Sequence, residues 1–234
     1  MKSDAAEHDY QLAWDFREGR RHARNPRKSL ELFLRAAAAG HVPAQYSAAH
    51  MLATATGVRR NYRKAVALYS LAAAKGHVFA MYNLARRFEY GQGVARDLRK
   101  ALHWHVACAN KGIVESMVAA GDFYFEGLGI RKNYRKALQW YSTAAKHDQP
   151  RALLRAGYLK REGLGCPANA ASAVLLYRRA ARRGELSAMY NLALCLLAGE
   201  GVRANRQSAR RWLAKAASLG HQAARKRLKQ EVWA

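Results

Sequence analysis

The nine residues GVRRNYRKA at 57–65 return as GIRKNYRKA at 129–137, an interval of 72 (129 minus 57). Half that interval finds GVARDLRKA at 93–101. From Asn61, steps of 36 reach Asn25, Asp97, Asn133, Asn169 and Asn205. From Gly76 they reach Gly40, Gly112, Gly184 and Gly220, with Asp148 at the one break. From Ala65 they reach Ala101, Ala137, Ala173 and Ala209. Three independent columns holding one period mark a stacked repeat architecture. The columns divide the chain into six 36-residue repeats, about 8–40, 41–76, 77–112, 113–148, 149–184 and 185–220. A C-terminal capping helix at 221–234 is expected to complete a single domain over 1–234.

Each repeat reads as two helices. The Asn/Asp column stands where a side-chain oxygen accepts an orphan backbone N–H at a helix start. Pro26 follows Asn25 at the position where a missing N–H costs nothing. Leu68, Tyr69, Ala72 and Ala73 then recur at helical spacing up to the glycine column, which suits a left-handed C-terminal cap. This is helix B. Ala80, Leu84, Ala85 and Phe88 carry the apolar face of the following helix A, which ends at Gly91-x-Gly93. The same pair recurs at Gly127-x-Gly129, Gly163-x-Gly165 and Gly199-x-Gly201; repeat 2 keeps only Gly57 and repeat 1 only Gly19. No segment alternates as a strand does. The fold class is all-α.

The stretches AMYNLARRFEYGQGVARDLRKALHWHVACANKG (80–112) and AMYNLALCLLAGEGVRANRQSARRWLAKAASLG (188–220) resemble the Sel-1-like repeat, a relative of the tetratricopeptide repeat. The A-x-Y-x-L-A opening, the G-x-G-V turn, the Asp/Asn cap and the A-A…G close carry the likeness. The resemblance covers essentially residues 8–220 and implies an α/α solenoid with a curved, protein-binding surface. Repeat 1 departs in lacking paired glycines and repeat 5 in placing Cys166-Pro167 after the turn. Both are expected to be distorted or to act as ends.

Composition bounds the function. No run approaches the ~18–20 apolar residues of a membrane span, so no membrane partner is expected. MKSDAAEHDY has acids where a signal peptide needs an apolar stretch, which points to the cytoplasm. Cys108 and Cys166 sit in small apolar columns, and the paired cysteines of disulfide-bonded relatives are absent, in keeping with a reducing compartment. The alanine and arginine content suggests a GC-rich bacterial genome. Lys and Arg number 41 against 16 Asp and Glu, a net charge of +25 that must shape solubility and partners.

No catalytic set, cofactor or metal is expected. His41, His77 and His221 follow the capping glycines at the repeat period and belong to the fold pattern. His105 and Cys108 share a helix face, but one such pair falls short of the four ligands of a zinc site. The G-x-G pairs come once per repeat after a helix, as terminators rather than phosphate loops. Trp104, Trp140 and Trp212 share a column with Leu32, Leu68 and Leu176 and read as core packing; Trp14 and Trp233 fall outside it.

The candidate binding surface is what helix A leaves free. On a wheel at 100° per residue, Ala44, Gln45, Ala48, Ala49 and Leu52 span one side, and Tyr46 extends it toward the preceding repeat. Ser47, His50, Met51 and Thr54 remain as an i, i+3, i+4, i+7 stripe. In tetratricopeptide-like solenoids helix A lines the concave side, so the resemblance makes this stripe the groove. Its partner-binding candidates are Trp14, Met51, Asn83, Arg86, Arg87, Tyr90, Asp122, Phe123, Arg155, Tyr158, Leu159, Asn191 and Leu194. The stripe holds three basic residues (Arg86, Arg87, Arg155) against five acidic ones (Asp15, Glu18, Asp122, Glu126, Glu162), a net of −2.

The excess positive charge lies on the turns between helices A and B. Arg59, Arg60, Arg63, Lys64, Arg96, Arg99, Lys100, Arg131, Lys132, Arg135 and Lys136 are the anionic-partner candidates there, and the corresponding seven residues of repeat 5, 166–172, hold no base. Cations at helix N-termini oppose the macrodipole by about 0.3–1 kcal/mol each, so solubility alone places them poorly. The expected function is a non-enzymatic scaffold for a protein partner with an acidic surface: an adaptor, a regulator or, as the resemblance allows, an immunity protein neutralising a toxin. Nucleic-acid or polyanion binding along the basic edge is the alternative, without a recognised motif. Hydrolase activity, attached to disulfide-rich relatives, is the third class and the weakest.

Overall fold

A computed structural model describes residues 2–231. Every regular element among them is an α-helix, and the helices form an all-α solenoid with a C-terminal helix. Two compact units divide the chain, Met1–Lys111 and Gly112–Ala234. The first contains α1 (Lys2–Glu18), α2 (Pro26–Ala38), α3 (Val42–Thr54), α4 (Tyr62–Ala74), α5 (Val78–Tyr90) and α6 (Leu98–Asn110). The second contains α7 (Val114–Glu126), α8 (Tyr134–Ala145), α9 (Pro150–Glu162), α10 (Ala170–Arg182), α11 (Leu186–Ala198), α12 (Arg206–Ser218) and α13 (Gln222–Gln230). Within each unit every helix packs on the next in sequence, so the core lies between neighbours. Trp233 and the end of the expected cap, 232–234, lie outside the described residues.

The caps explain the boundaries. Asn25, Asn61, Asp97, Asn133, Asn169 and Asn205 each start a B helix, the side-chain oxygen accepting the N–H three residues on. The A helices use a different chemistry. His41, His77 and His221 accept the N–H of Ala44, Ala80 and Ala224 through Nδ1, and Gln149 accepts that of Ala152. Because Nδ1 of His41 accepts, its Nε2 carries the proton and donates to the Glu7 carboxylate at 2.8 Å. Tyr10, Tyr46 and Tyr190 lie against His41, His77 and His221, with ring centroids 4.7, 4.6 and 5.1 Å apart. Tyr46 therefore faces the following repeat, not the preceding one.

The tryptophan column is half-buried at Trp104, Trp140 and Trp212. The buried column is one residue further: Phe33, Tyr69, His105, Tyr141, Tyr177 and Leu213. A single position turns a helical side chain by about 100°, enough to exchange rim for core. Burial pushes the phenols of Tyr69, Tyr141 and Tyr177 well above their ordinary range.

Asp148 keeps the left-handed conformation of the glycine column, at φ 54°. Its carboxylate accepts from Arg179 Nη2 at 2.6 Å and from Arg183 Nη2 at 2.7 Å, and these hydrogen bonds hold its pKa below the ordinary value. Repeat 5 is not distorted: α9 and α10 each run 13 residues, and Asn169 caps α10 as its counterparts do. The Cys166-Pro167 departure is absorbed in the turn, where neither residue has a helical hydrogen bond to lose. Repeat 1 begins earlier than expected, α1 starting at Lys2.

Candidate functional site

The exposed stripe of the A helices is narrower than the wheel suggested. Met51, Phe123 and Leu159 are core residues, 0%, 1% and 0% exposed, and cannot line an open surface. Each stands seven positions after an alanine or serine of the packed face (Ala44, Ser116, Ala152), and seven residues return a helix to within about 20°. Cys195 in the same column is buried too, and burial pushes its thiol pKa up.

Within the first unit, Trp14, Asn83 and Arg87 are half-buried, while Arg86 and Tyr90 are exposed, Tyr90 by 57%. Within the second, Asp122, Arg155, Tyr158, Asn191 and Leu194 are half-buried. Arg155, Tyr158 and Asn191 meet in one cleft of about 400 Å³, with Arg151, Leu154, Glu185 and Ser187 completing its walls. The last four escaped sequence reasoning. Glu185 and Ser187 open α11, and Leu154 holds the position of Tyr46, whose direction toward the next repeat is visible only in the packing. Leu194 lies apart in a second cleft of about 560 Å³, with Arg161, Glu200 and Arg227.

The ion pairs change the electrostatic reading of the stripe. Glu18 pairs with Arg20, Asp15 lies 3.9 Å from Arg21, Asp122 2.9 Å from Arg151, and Glu162 2.6 Å from Arg161. Tyr141 also donates to Asp122 at 2.6 Å. Four of the five stripe carboxylates are thus answered by arginines outside the stripe. The stripe arginines rest on rings instead: Arg86 on Tyr90 at 5.7 Å, Arg87 on Tyr62 at 4.9 Å and Arg155 on Phe125 at 4.9 Å. Arg17 lies 4.6 Å over Trp14 in the same way. A guanidinium held over an aromatic face can still direct N–H groups to a planar anion such as a carboxylate. Arg87 additionally donates to Gln92.

His50 stands half-buried in the first unit's stripe, and desolvation, with the charges of Arg17 and Arg87, lowers its pKa below the ordinary imidazole value. Desolvation lowers His77 likewise. A depressed folded pKa means that the unfolded chain binds protons more readily, so stability rises with pH. The contribution is present above about 6.5 and is lost as the pH falls through the lowered folded values. The melting temperature is expected to fall between pH 7.5 and 5.5, with the NMR titration of the His50 ring centred below that of an exposed histidine. A midpoint at or above the exposed value contradicts the burial argument.

The eleven turn candidates, Arg59, Arg60, Arg63, Lys64, Arg96, Arg99, Lys100, Arg131, Lys132, Arg135 and Lys136, are all exposed. Some are anchored: Lys100 lies 3.4 Å from Asp97 and 5.5 Å over Phe88, Lys136 lies 5.2 Å over Tyr124, and Arg96 Nε donates to the Glu89 carbonyl at 3.0 Å. His105 and Cys108 turn to different partners, Glu89 at 3.4 Å and the Val78 carbonyl at 3.7 Å. Among the described residues no three His, Cys, Asp or Glu side chains gather as a metal site, and no helix is long and apolar enough to cross a membrane.

The profile of the Sel1 repeat matches residues 9–41, 42–77, 78–112, 114–149, 150–185 and 186–221. A protective antigen of uropathogenic Escherichia coli with an SLR fold is 30% identical over 95% of this chain, at a TM-score of 0.85. This chain spans 48% of that protein's length. A Sel1 repeat protein from Oxalobacter formigenes is 28% identical over 97% of this chain and 65% of its own, at 0.72. An immunity protein of Pseudomonas aeruginosa aligns over 78% of this chain and 66% of its own at 25% identity, but at a TM-score of 0.43, which carries no inference. No curated protein matches the sequence at a significant level.

Proposed function

The chain belongs to the Sel1 repeat family, whose repeats commonly serve protein interaction, and on that premise we propose that it is a non-enzymatic scaffold holding an acidic protein on its A-helix stripe. The supporting observation is the pairing pattern. Arginines outside the stripe neutralise four of its carboxylates, while Arg86 and Arg155 lie over aromatic rings with N–H groups suited to a partner's carboxylates. An adaptor, a regulator and an immunity protein facing an acidic toxin are all forms of this reading, and a reducing compartment such as the cytoplasm suits its buried thiols.

A photo-crosslinker at position 158 should trap a protein of low isoelectric point. With that partner purified, Arg155→Ala combined with Tyr158→Ala should weaken binding by about 2–4 kcal/mol, as interface anchors do. Glutamine at Arg59, Arg60, Arg131 and Lys132 should mainly slow association and flatten its salt dependence. The exposed turn cations favour the second reading, a polyanion bound along them. If duplex DNA binds, and the turn variant loses affinity with a shallower salt slope while the stripe variant binds normally, that reading replaces the first.

A further inference from the structure

Repeat 5 departs from the pattern of repeats 3 and 4. Where Phe88 and Tyr124 close helix A over helix B, it has Lys160; where Lys100 and Lys136 cover those rings, it has Ser172. In repeat 6 the same two positions hold Leu196 and Ser208. The exchange in repeat 5 removes both the ring and its covering lysine. A cavity of about 540 Å³ opens there, lined by Leu175, Leu176 and Ser172 and by Lys160, Arg178, Arg179 and Arg182. The charge has moved as well, from the turn at 166–172, which holds no base, to the outer face of α10. Leu175, Arg178, Arg179 and Arg182 stand at i, i+3, i+4 and i+7, one stripe of that helix. Leu175 is 60% exposed, while other repeats place Glu31, Ala67, His103, Gln139 or Arg211 in its column. Arg179 is held by Asp148, which Arg183 shares. No carboxylate lines the cavity itself.

The geometry points to a second docking site on the B-helix side of repeat 5, for an acidic amphipathic helix that seats an apolar side chain on Leu175 and Leu176 and sets carboxylates against Lys160, Arg178 and Arg182. Leucines lined by cations from α9 and α10 fit a helix with a leucine face flanked by glutamates, the helix-in-groove mode of recognition. The cavity volume lies within the range of ordinary ligand sites. The site is separate from the A-helix stripe and does not depend on it.

The probe is a fluorescein-labelled synthetic helix of leucine and glutamate with that pattern, alongside the same peptide carrying glutamine for glutamate. Anisotropy should show the acidic peptide binding the whole chain, with at least tenfold weaker affinity for Arg178→Glu combined with Arg182→Glu. Leu175→Ser should weaken it several-fold. Lys160→Phe, which places there the ring that repeats 3 and 4 carry at Phe88 and Tyr124 and occupies the cavity, should also weaken it. Thermal melts of the exposed-site variants should match the wild type, and Arg155→Ala with Tyr158→Ala should leave this binding unchanged. The proposal is overturned if the glutamine peptide binds equally, if only the stripe variant loses affinity, or if the acidic peptide fails to bind. Binding to phosphatidylglycerol vesicles through the same residues, without the peptide, would make the site a membrane contact and overturn it equally.

Discussion

Gly201→Ala is expected to lower stability by about 2–5 kcal/mol, more than the neighbouring Gly199→Ala at about 1–2 kcal/mol. Both glycines have positive φ, 68° and 72°, so both substitutions carry the left-handed penalty. Only Gly201 adds a collision. A Cβ there would lie 2.3 Å from the Ala170 carbonyl carbon and 2.5 Å from the Ala171 nitrogen, at the start of α10. At Gly199 the nearest atom is the Ala204 Cβ at 3.5 Å, an ordinary contact. The turn of repeat 6 therefore rests directly on the backbone of repeat 5, and its second glycine is a packing surface. Urea denaturation of the two variants measures the difference; equal losses would show that the backbone contact contributes nothing.

That contact marks a limit of sequence reading. The G-x-G pairs are legible as helix terminators because the first glycine ends the local ladder, and the Asn/Asp column is legible because its hydrogen bond is three residues long. Both are local effects. The role of the second glycine depends on the approach of another repeat, which leaves no trace in the pair itself. The stripe behaves similarly. Its position followed from periodicity, and Arg155, Tyr158 and Asn191 do meet in a cleft. The net charge of −2 did not describe its electrostatics, because Arg20, Arg21, Arg151 and Arg161 reach the carboxylates from outside. A charge count by column misses pairs formed across columns.

The fifth repeat illustrates the converse. Cys166-Pro167 draws attention in the sequence, yet the turn absorbs it and the helices keep their lengths. The consequential change is Lys160, ordinary in type but the one charged residue in its column, beside Ser172, a residue that repeat 6 shares at Ser208. Lys160 stands where the other repeats have Phe16, Leu52, Phe88, Tyr124 and Leu196, and it lines the cavity together with Ser172 and Leu176.

Phe123 decides how the stripe divides between core and surface. Phe123→Ala should destabilise the second unit by about 3–5 kcal/mol, the cost of truncating a fully buried phenylalanine and leaving a void, since the side chain is 1% exposed. Tyr158→Ala, on the half-buried side of α9, should cost far less stability and act on binding. Denaturation and partner affinity measured on the same two variants separate the roles. A Phe123 variant with wild-type stability and lost binding would return that residue to the groove. The expected result is the reverse, because the same seven-residue return that places Leu159 beneath Ala152 places Phe123 beneath Ser116. The surface available to a partner is then the columns of Arg155 and Tyr158, and affinity tuned there leaves the core between the helices intact.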